Sequence, residues 1–246
     1  MLSLGRVILP QPLLAFWLES DAHKTCEIAR LAGYDTVIFD MEHGTIGETS
    51  LDRLVPFCNQ LGLATFVRVR EANQARIQIA LDSGARGVIL PQIRDIEQAR
   101  NSAMAAKFPP RGTRGMGFSR IHRYEGPDDA WVAAQNSGTI CYVMIETQGA
   151  FDECEAIARM ECVDGLFIGP SDLSLNRGRG VFSCKPADIA DMDRIAKAAA
   201  AAGKLWGAAA GHSGYRAEAS SRRPDLLAVS DDLSALRLGF GALAAG

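Results

Sequence analysis

The sequence predicts a (β/α)8 barrel, an α/β fold of the TIM type. Three observations carry that expectation: eight short apolar runs, a helix-forming segment after each run, and a chain of 246 residues. Strands separated by helices pair in parallel, because each return crosses over through a helix rather than a hairpin. Eight such units in about 250 residues is the size of a closed barrel. A doubly wound open sheet is the alternative that the same alternation allows. No linker or low-complexity stretch divides the chain, so one domain over residues 1–246 is expected.

The first run, LLAFWL (13–18), is apolar throughout and of strand length. The helix expected over 21–32 has Asp21 as its N-cap and Gly33 at its end. TVIFD (36–40) is rich in β-branched and aromatic side chains, and a helix over 48–61 follows, with Thr49 as cap and Gly62 as stop. ATFVRV (64–69) leads to a helix over 73–83, capped by Asn73 and closed at Gly84. GVIL (87–90) leads to 95–106, capped by Asp95. ICYVMIE (140–146) precedes a helix over 148–159, and DGLFIG (164–169) precedes one over 187–202 that stops at Gly203. KLWGAAA (204–210) is followed by a weak helical pattern near 214–221. LLAVS (226–230) closes the set, before a helix over 232–245 capped by Ser230 or Asp231. The interval 108–139, with FPPRGTRGMGFSRIHRY, is too long for an ordinary connection, so an ordered, functional loop is expected there.

Composition narrows the function. Hydrophobic residues make up 48% and charged residues 22%, as in soluble globular proteins. A net charge of -3, with Lys and Arg scattered, gives no basis for a nucleic-acid or membrane-surface partner. Pro10 and Pro12 break the N-terminal segment, which lacks a small-residue cleavage pattern and is not read as a leader. No apolar run approaches the ~18 residues of a membrane span. Cys26, Cys58, Cys141, Cys154, Cys162 and Cys184 show neither a C-x-x-C pair nor zinc-type spacing. Reduced, mostly buried thiols in a cytoplasmic protein are expected.

In a barrel, the side chains that end or follow strands converge on one rim, where active sites lie. That rim collects Asp40, Glu42 and His43 after the second strand and Arg68 at the end of the third. Gln92 follows the fourth, Glu146 ends the fifth, and Ser171 and Asp172 follow the sixth. Adjacent strands lie about 4.8 Å apart, so Glu146 and Asp172 could meet one hard cation such as Mg²⁺ or Mn²⁺. Each could equally be a solvated loop acid or a helix cap. Alternation in FVRVR turns Arg68 away from Val67 and Val69, into the barrel. An unpaired guanidinium there is costly, so Arg68 pairs with Asp40 or Glu42, or holds a substrate anion. His43 suits a general base, and a surface imidazole is the plainer alternative. The GPSDLS turn (169–174) offers backbone N–H groups to an anion. GTRGMG (112–117) lacks the strand and helix of a nucleotide fingerprint. Lys24, Lys107, Lys185, Lys197 and Lys204 all avoid the C-terminal strand ends, so carbonyl chemistry by Schiff base is not expected, and a metal is the alternative.

With these residues in order, the chain resembles the HpcH/HpaI family of metal-dependent (class II) pyruvate aldolases, which includes 4-hydroxy-2-oxoheptanedioate and 2-dehydro-3-deoxyglucarate aldolases. The carriers are FDMEH, FVRV, LDSGARGVILPQI, FPPRGTRG, IET and VDGLFIGPSDLS, spanning Trp17 to about Asp232. The resemblance implies a phosphoenolpyruvate/pyruvate-type barrel and a homohexamer in which the last helix is exchanged between subunits. It implies Glu146 and Asp172 as ligands of a divalent ion (Mg²⁺, Mn²⁺ or Co²⁺). It further implies Arg68 on the pyruvate keto oxygen, His43 as catalytic base with Asp82 as its dyad partner, and Trp17 beside the substrate. The Ser171 and Asp172 amides match the turn that receives the pyruvate carboxylate. Met144 stands where many relatives carry Gln. Arg114 and Arg111, in the long loop, are candidates to hold the distal end of the second substrate.

The function implied is aldol cleavage, or formation, of a 4-hydroxy-2-oxo acid through a pyruvate enolate. Oxaloacetate decarboxylation by the same enolate is the alternative reaction. A ligand-binding barrel that has lost catalysis is the alternative of another class.

Overall fold

The computed structural model describes residues 12–246, so most of the N-terminal segment considered above lies outside the described residues. Eight parallel strands close into a barrel in chain order: β1 (Leu13–Leu18), β2 (Thr36–Asp40), β3 (Ala64–Arg68), β4 (Gly87–Leu90), β5 (Ile140–Ile145), β6 (Gly165–Ile168), β7 (Leu205–Ala209) and β8 (Leu226–Asp231). The open-sheet alternative is thereby excluded. The helices are α1 (His23–Leu31), α2 (Glu48–Gln60), α3 (Gln74–Asp82), α4 (Ile96–Met104), α5 (Asp129–Gly138), α6 (Gln148–Asp152), α7 (Cys154–Ala158), α8 (Pro170–Asn176), α9 (Pro186–Ala201), α10 (Ser213–Ser221) and α11 (Asp232–Ala245).

Alternation along the strands divides the core in two. Val37, Val67, Val88, Val143 and Ile168 face the helices in the larger core. Ile38, Phe66, Ile89, Tyr142 and Phe167 fill the barrel interior. Glycine makes room for the interior aromatics. Gly87 sits opposite Phe66 and Gly165 opposite Tyr142 in the strand register. A Cβ on Gly87 would stand 2.9 Å from a Phe66 ring carbon, closer than packing permits.

The helix ends follow local chemistry. Asn73, Asp95 and Asp231 cap α3, α4 and α11 by accepting the amides of Arg76, Gln98 and Ser234. Gly33, Gly62, Gly84 and Gly203 follow helices with φ of +97°, +77°, +97° and +66°. Two expected caps are corrected. Ala22 precedes α1, and Asp21 instead accepts from Ser50 and Arg53 on α2. Gly47, not Thr49, caps α2. The helix expected over 148–159 breaks at Glu153 into α6 and α7, and Glu153 Oε2 accepts the Ile96 amide at 2.6 Å.

The interval 108–139 is ordered and holds α5, which the apolar pattern did not reveal. Five of the cysteines are buried, and Cys184 is half-buried. No helix among the described residues is long and apolar enough to cross a membrane. The last helix, α11, leaves the barrel with Leu236, Leu238, Phe240 and Leu243 exposed.

Candidate active site

Asp40 and Arg68 are paired in the register of β2 and β3, and both point inward. Arg68 Nε donates to Asp40 Oδ1 at 2.9 Å, and Nη2 donates to Oδ2 at 2.5 Å. This two-pronged geometry fixes the plane of the guanidinium. Arg68 Nη1 lies 3.3 Å from Glu42 Oε2, and the guanidinium carbon stands 4.6 Å from the Trp17 ring centroid. Burial alone would lower the pKa of Arg68, but the bonds and charge of Asp40, then the charges of Glu42 and Glu146, hold it above its ordinary value. Asp40 Oδ1 also accepts the amides of Glu42 at 3.0 Å and His43 at 3.2 Å. One carboxylate thus positions both the arginine and the loop that presents the histidine. Asp40 ends a buried strand as a charged residue because its charge balances that of Arg68.

Glu146 follows β5 and is fully buried. Its Oε1 accepts the Gln92 amide at 2.6 Å, and Gln92 adopts φ of +53° after β4. Its Oε2 is buried with no hydrogen-bond partner. Buried carboxylate oxygens are almost always satisfied, so this atom marks a place for a ligand. Burial pushes the Glu146 carboxyl up to about 7, and the nearby Glu42 and Asp172 charges push the same way, against the Gln92 bond and Arg68. A Cβ on Gly169 would stand 2.8 Å from Oε2, so any side chain there would fill the space beside this oxygen. Asp172 lies in the first turn of α8, and the Asn176 amide group donates to both the Asp172 and Glu146 carbonyls. Neighbouring acids and an unsatisfied buried oxygen suit a divalent cation. Among the described residues no group of three or more His, Cys, Asp or Glu converges on one point. Glu146 and Asp172 would therefore leave the other positions of such an ion to water and substrate oxygens.

Above these groups the barrel mouth forms a cleft of about 270 Å³. Trp17, His43, Arg68, Met144, Gly169, Ser171 and Asp172 line it together with Glu19 and Asp231. His43 is largely exposed, and its Nε2 lies 3.9 Å from Glu42 Oε2. The Ser171 and Asp172 amides lie in the first turn of a helix, where no preceding carbonyl accepts them. Glu19 and Asp231 escaped the sequence reading. The signal is present in the sequence: Asp231 ends a strand and Glu19 closely follows one, as rim residues do. A larger depression of about 540 Å³, bounded by Asn73, Asp95 and Asn101, lies among the N-terminal ends of α3 and α4. Among the described residues its lining carries no Arg, Lys or His, whereas the mouth brings Arg68 and His43 together with Asp172, so the mouth is the better site.

The structure does not bring Asp82 to His43 within one chain. Asp82 closes α3 at the end of the barrel away from the mouth, and accepts from Arg114 Nη2 at 2.7 Å. Arg114 is buried against the Phe108 ring, its carbon 4.6 Å from the centroid, and does not line the cleft. Burial lowers the Arg114 pKa, opposed by Asp82. Arg111 is likewise turned away, 3.2 Å from a Glu161 carboxylate oxygen. In a single chain, then, neither arginine reaches a substrate in the mouth. Lys107 is fully buried against Asp164 at 2.7 Å, and Lys204 donates to the Met160 and Val163 carbonyls, both at the end opposite the mouth.

Known proteins resemble this chain over most of its length. Residues 13–223 match the family model described as HpcH/HpaI aldolase/citrate lyase. A 2-keto-3-deoxy-L-rhamnonate aldolase from Salmonella dublin is 31% identical over 235 residues, covering 93% of this chain and 79% of the relative. A protein of the same name from Salmonella gallinarum is 34% identical over 171 residues, a match spanning 67% of this chain and 62% of the relative's length. Among solved structures, an HpcH/HpaI aldolase from Desulfitobacterium hafniense DCB-2 superposes with a TM-score of 0.88 at 26% identity, covering 95% of this chain and 92% of that one.

Proposed function

The chain belongs to the HpcH/HpaI aldolase/citrate lyase family, and from that premise we propose that it is a divalent-metal-dependent aldolase. It cleaves a 4-hydroxy-2-oxo acid to pyruvate and an aldehyde, or joins the two in reverse. The observation that carries this reading is Glu146 Oε2, buried without a partner, beside Asp172 and within the field of Arg68. The names of the curated relatives support a 2-oxo acid as substrate.

Glu146 and Asp172 would hold the ion, Mg²⁺, Mn²⁺ or Co²⁺, which when bound supplies Lewis acidity toward the 2-keto oxygen. The remaining work falls to this chain's own groups. Arg68, locked by Asp40, presents positive charge to the oxygen on which negative charge grows as the C3–C4 bond breaks. Its geometry is set before substrate arrives, so little reorganisation is spent in the transition state. The Ser171 and Asp172 amides receive the carboxylate of the pyruvate unit. His43 takes the proton of the C4 hydroxyl, so that the electrons of the C3–C4 bond pass into the enolate and the aldehyde departs. C3 then gains a proton to give pyruvate. Trp17 packs edge-on against Phe167, with ring centroids 5.8 Å apart, and walls the pyruvate end from water.

The simplest test is exchange of the pyruvate methyl protons with D₂O, followed by NMR, with and without each ion. Exchange that requires both the ion and Glu146 is expected. Equal exchange in thoroughly chelated wild-type protein would overturn the metal-dependent reading. We place the enzyme in the cytoplasm as a homohexamer, with small molecules as its only ligands.

A further inference from the structure

The cleft has two unlike walls. One carries Arg68, His43 and the α8 turn, all used above. The other carries Glu19, just past β1, and Asp231, which ends β8. Trp17 pairs with Asp231 in the strand register, so these acids stand side by side on adjoining strands. Among the described residues neither forms an ion pair, and the only Arg or Lys that lines the cleft, Arg68, is already engaged by Asp40 and Glu42. Glu19 is fixed from behind. Its amide donates to Asp232 Oδ1 at 3.0 Å, and its carbonyl accepts the Thr45 amide at 2.8 Å. Asp231 is fixed by capping α11, its Oδ1 accepting the Ser234 amide at 2.6 Å. Burial, then the Asp231, Asp40 and Asp232 charges, raises the Glu19 carboxyl above its ordinary value, as expected of acids crowded against one another. That the cleft takes a ligand does not depend on these acids. It follows from the buried, unpartnered Glu146 oxygen beside Gly169, which lines the same cleft.

We propose that Glu19 and Asp231 form the aldehyde-binding wall and select a neutral, hydroxylated aldehyde over one that ends in a carboxylate. The inference rests on the aldolase reading and names its second substrate. Ionised carboxylates accept hydrogen bonds and donate none, so they reward hydroxyl groups on the incoming aldehyde. A carboxylate on the aldehyde would meet like charges, with Arg111 and Arg114 both held elsewhere.

The test compares pyruvate condensation of the metal-loaded enzyme with glyceraldehyde and with succinic semialdehyde. For the wild type, kcat/KM with glyceraldehyde is expected to exceed that with succinic semialdehyde by tenfold or more. The double variant Glu19→Gln with Asp231→Asn keeps the side-chain lengths and the α11 cap. It should narrow the ratio about tenfold, chiefly by lowering KM for succinic semialdehyde. A second arm needs no variant: in the wild type, adding salt should narrow the same ratio, since screening weakens repulsion at an open mouth. An unchanged ratio in both arms, or a wild-type preference for succinic semialdehyde, overturns the proposal. Pyruvate proton exchange by the wild type is measured alongside. Exchange with no aldehyde selectivity defeats only this inference, while absence of exchange defeats the aldolase reading with it.

Discussion

Glu146 is the side chain most at odds with its surroundings, a fully buried acid with one oxygen unserved. Its position at a strand end was legible from the sequence, but its burial was not, because burial comes from the Gly169 approach and the Gln92 turn. Replacing Glu146 or Asp172 by Ala is expected to abolish turnover and metal retention. Turnover assays paired with metal analysis after gel filtration check this, and full activity of either variant in metal-free buffer would defeat the assignment. Glu146 also predicts a pH effect on the metal-free protein. Its pKa is raised from 4.5 to about 7, so the folded state holds the proton more tightly than the unfolded chain. The associated stability is present below about pH 4.5 and is lost as pH rises through about 7, a swing of roughly 3 kcal/mol. Metal-free wild type should therefore lose more stability between pH 5 and pH 8 than Glu146→Gln does. Parallel Tm profiles for the two would show that Glu146 ionises normally. The structure also supplies the protein partners of Arg68. Strand alternation could aim it inward but could not choose its partner, and the structure gives it both Asp40 and Glu42.

The strands were legible because each is an apolar run bounded by polar or glycine residues, and the barrel buries both of their faces. Two helices were not. In α5 the one buried residue is Asn136, whose side chain accepts from the Phe108 amide and donates to its carbonyl. A helix held by a polar clip leaves no apolar stripe to read. The other, α8, has seven residues and opens on Pro170, so it read as a turn. The Asn136 clip belongs to a lock that fastens the long 105–139 segment beneath the barrel. Lys107 is fully buried, pairs with Asp164, and donates to the Thr139 carbonyl at 2.6 Å. Its two halves are not equivalent. Asp164→Asn leaves a buried ammonium without its counter-charge and should cost about 3–5 kcal/mol. Lys107→Met leaves a partly exposed acid still bonded to the Cys141 amide, and should cost about 1–2 kcal/mol. Urea unfolding of both variants decides it, and an equal or larger loss for Lys107→Met would refute the lock.

One barrel leaves two features unexplained, and we propose one assembly for both. Along α11, Leu236, Leu238, Phe240 and Leu243 are exposed, the last at 82%, while the only fully sequestered residue is Asp232 at its start. Burying such a side chain is worth roughly 1.5–3 kcal/mol, so a helix this apolar gains most by packing against another copy. Separately, Asp82 lies at the far end of the barrel from His43, although the family resemblance pairs them. Both features fit an oligomer in which α11 is exchanged and Asp82 of one copy serves His43 of another. Leu236→Asp with Phe240→Asp should therefore reduce the sedimenting mass toward that of one chain and reduce activity with it. Subunit mixing tests the dyad directly. If the pair forms between copies, inactive His43→Ala and Asp82→Ala proteins, unfolded and refolded together, should regain activity, because some interfaces then contain both native residues. A mixture that stays inactive while forming mixed oligomers would place the dyad, if it exists, within one chain through water, and would separate the reason for assembly from the reason for catalysis.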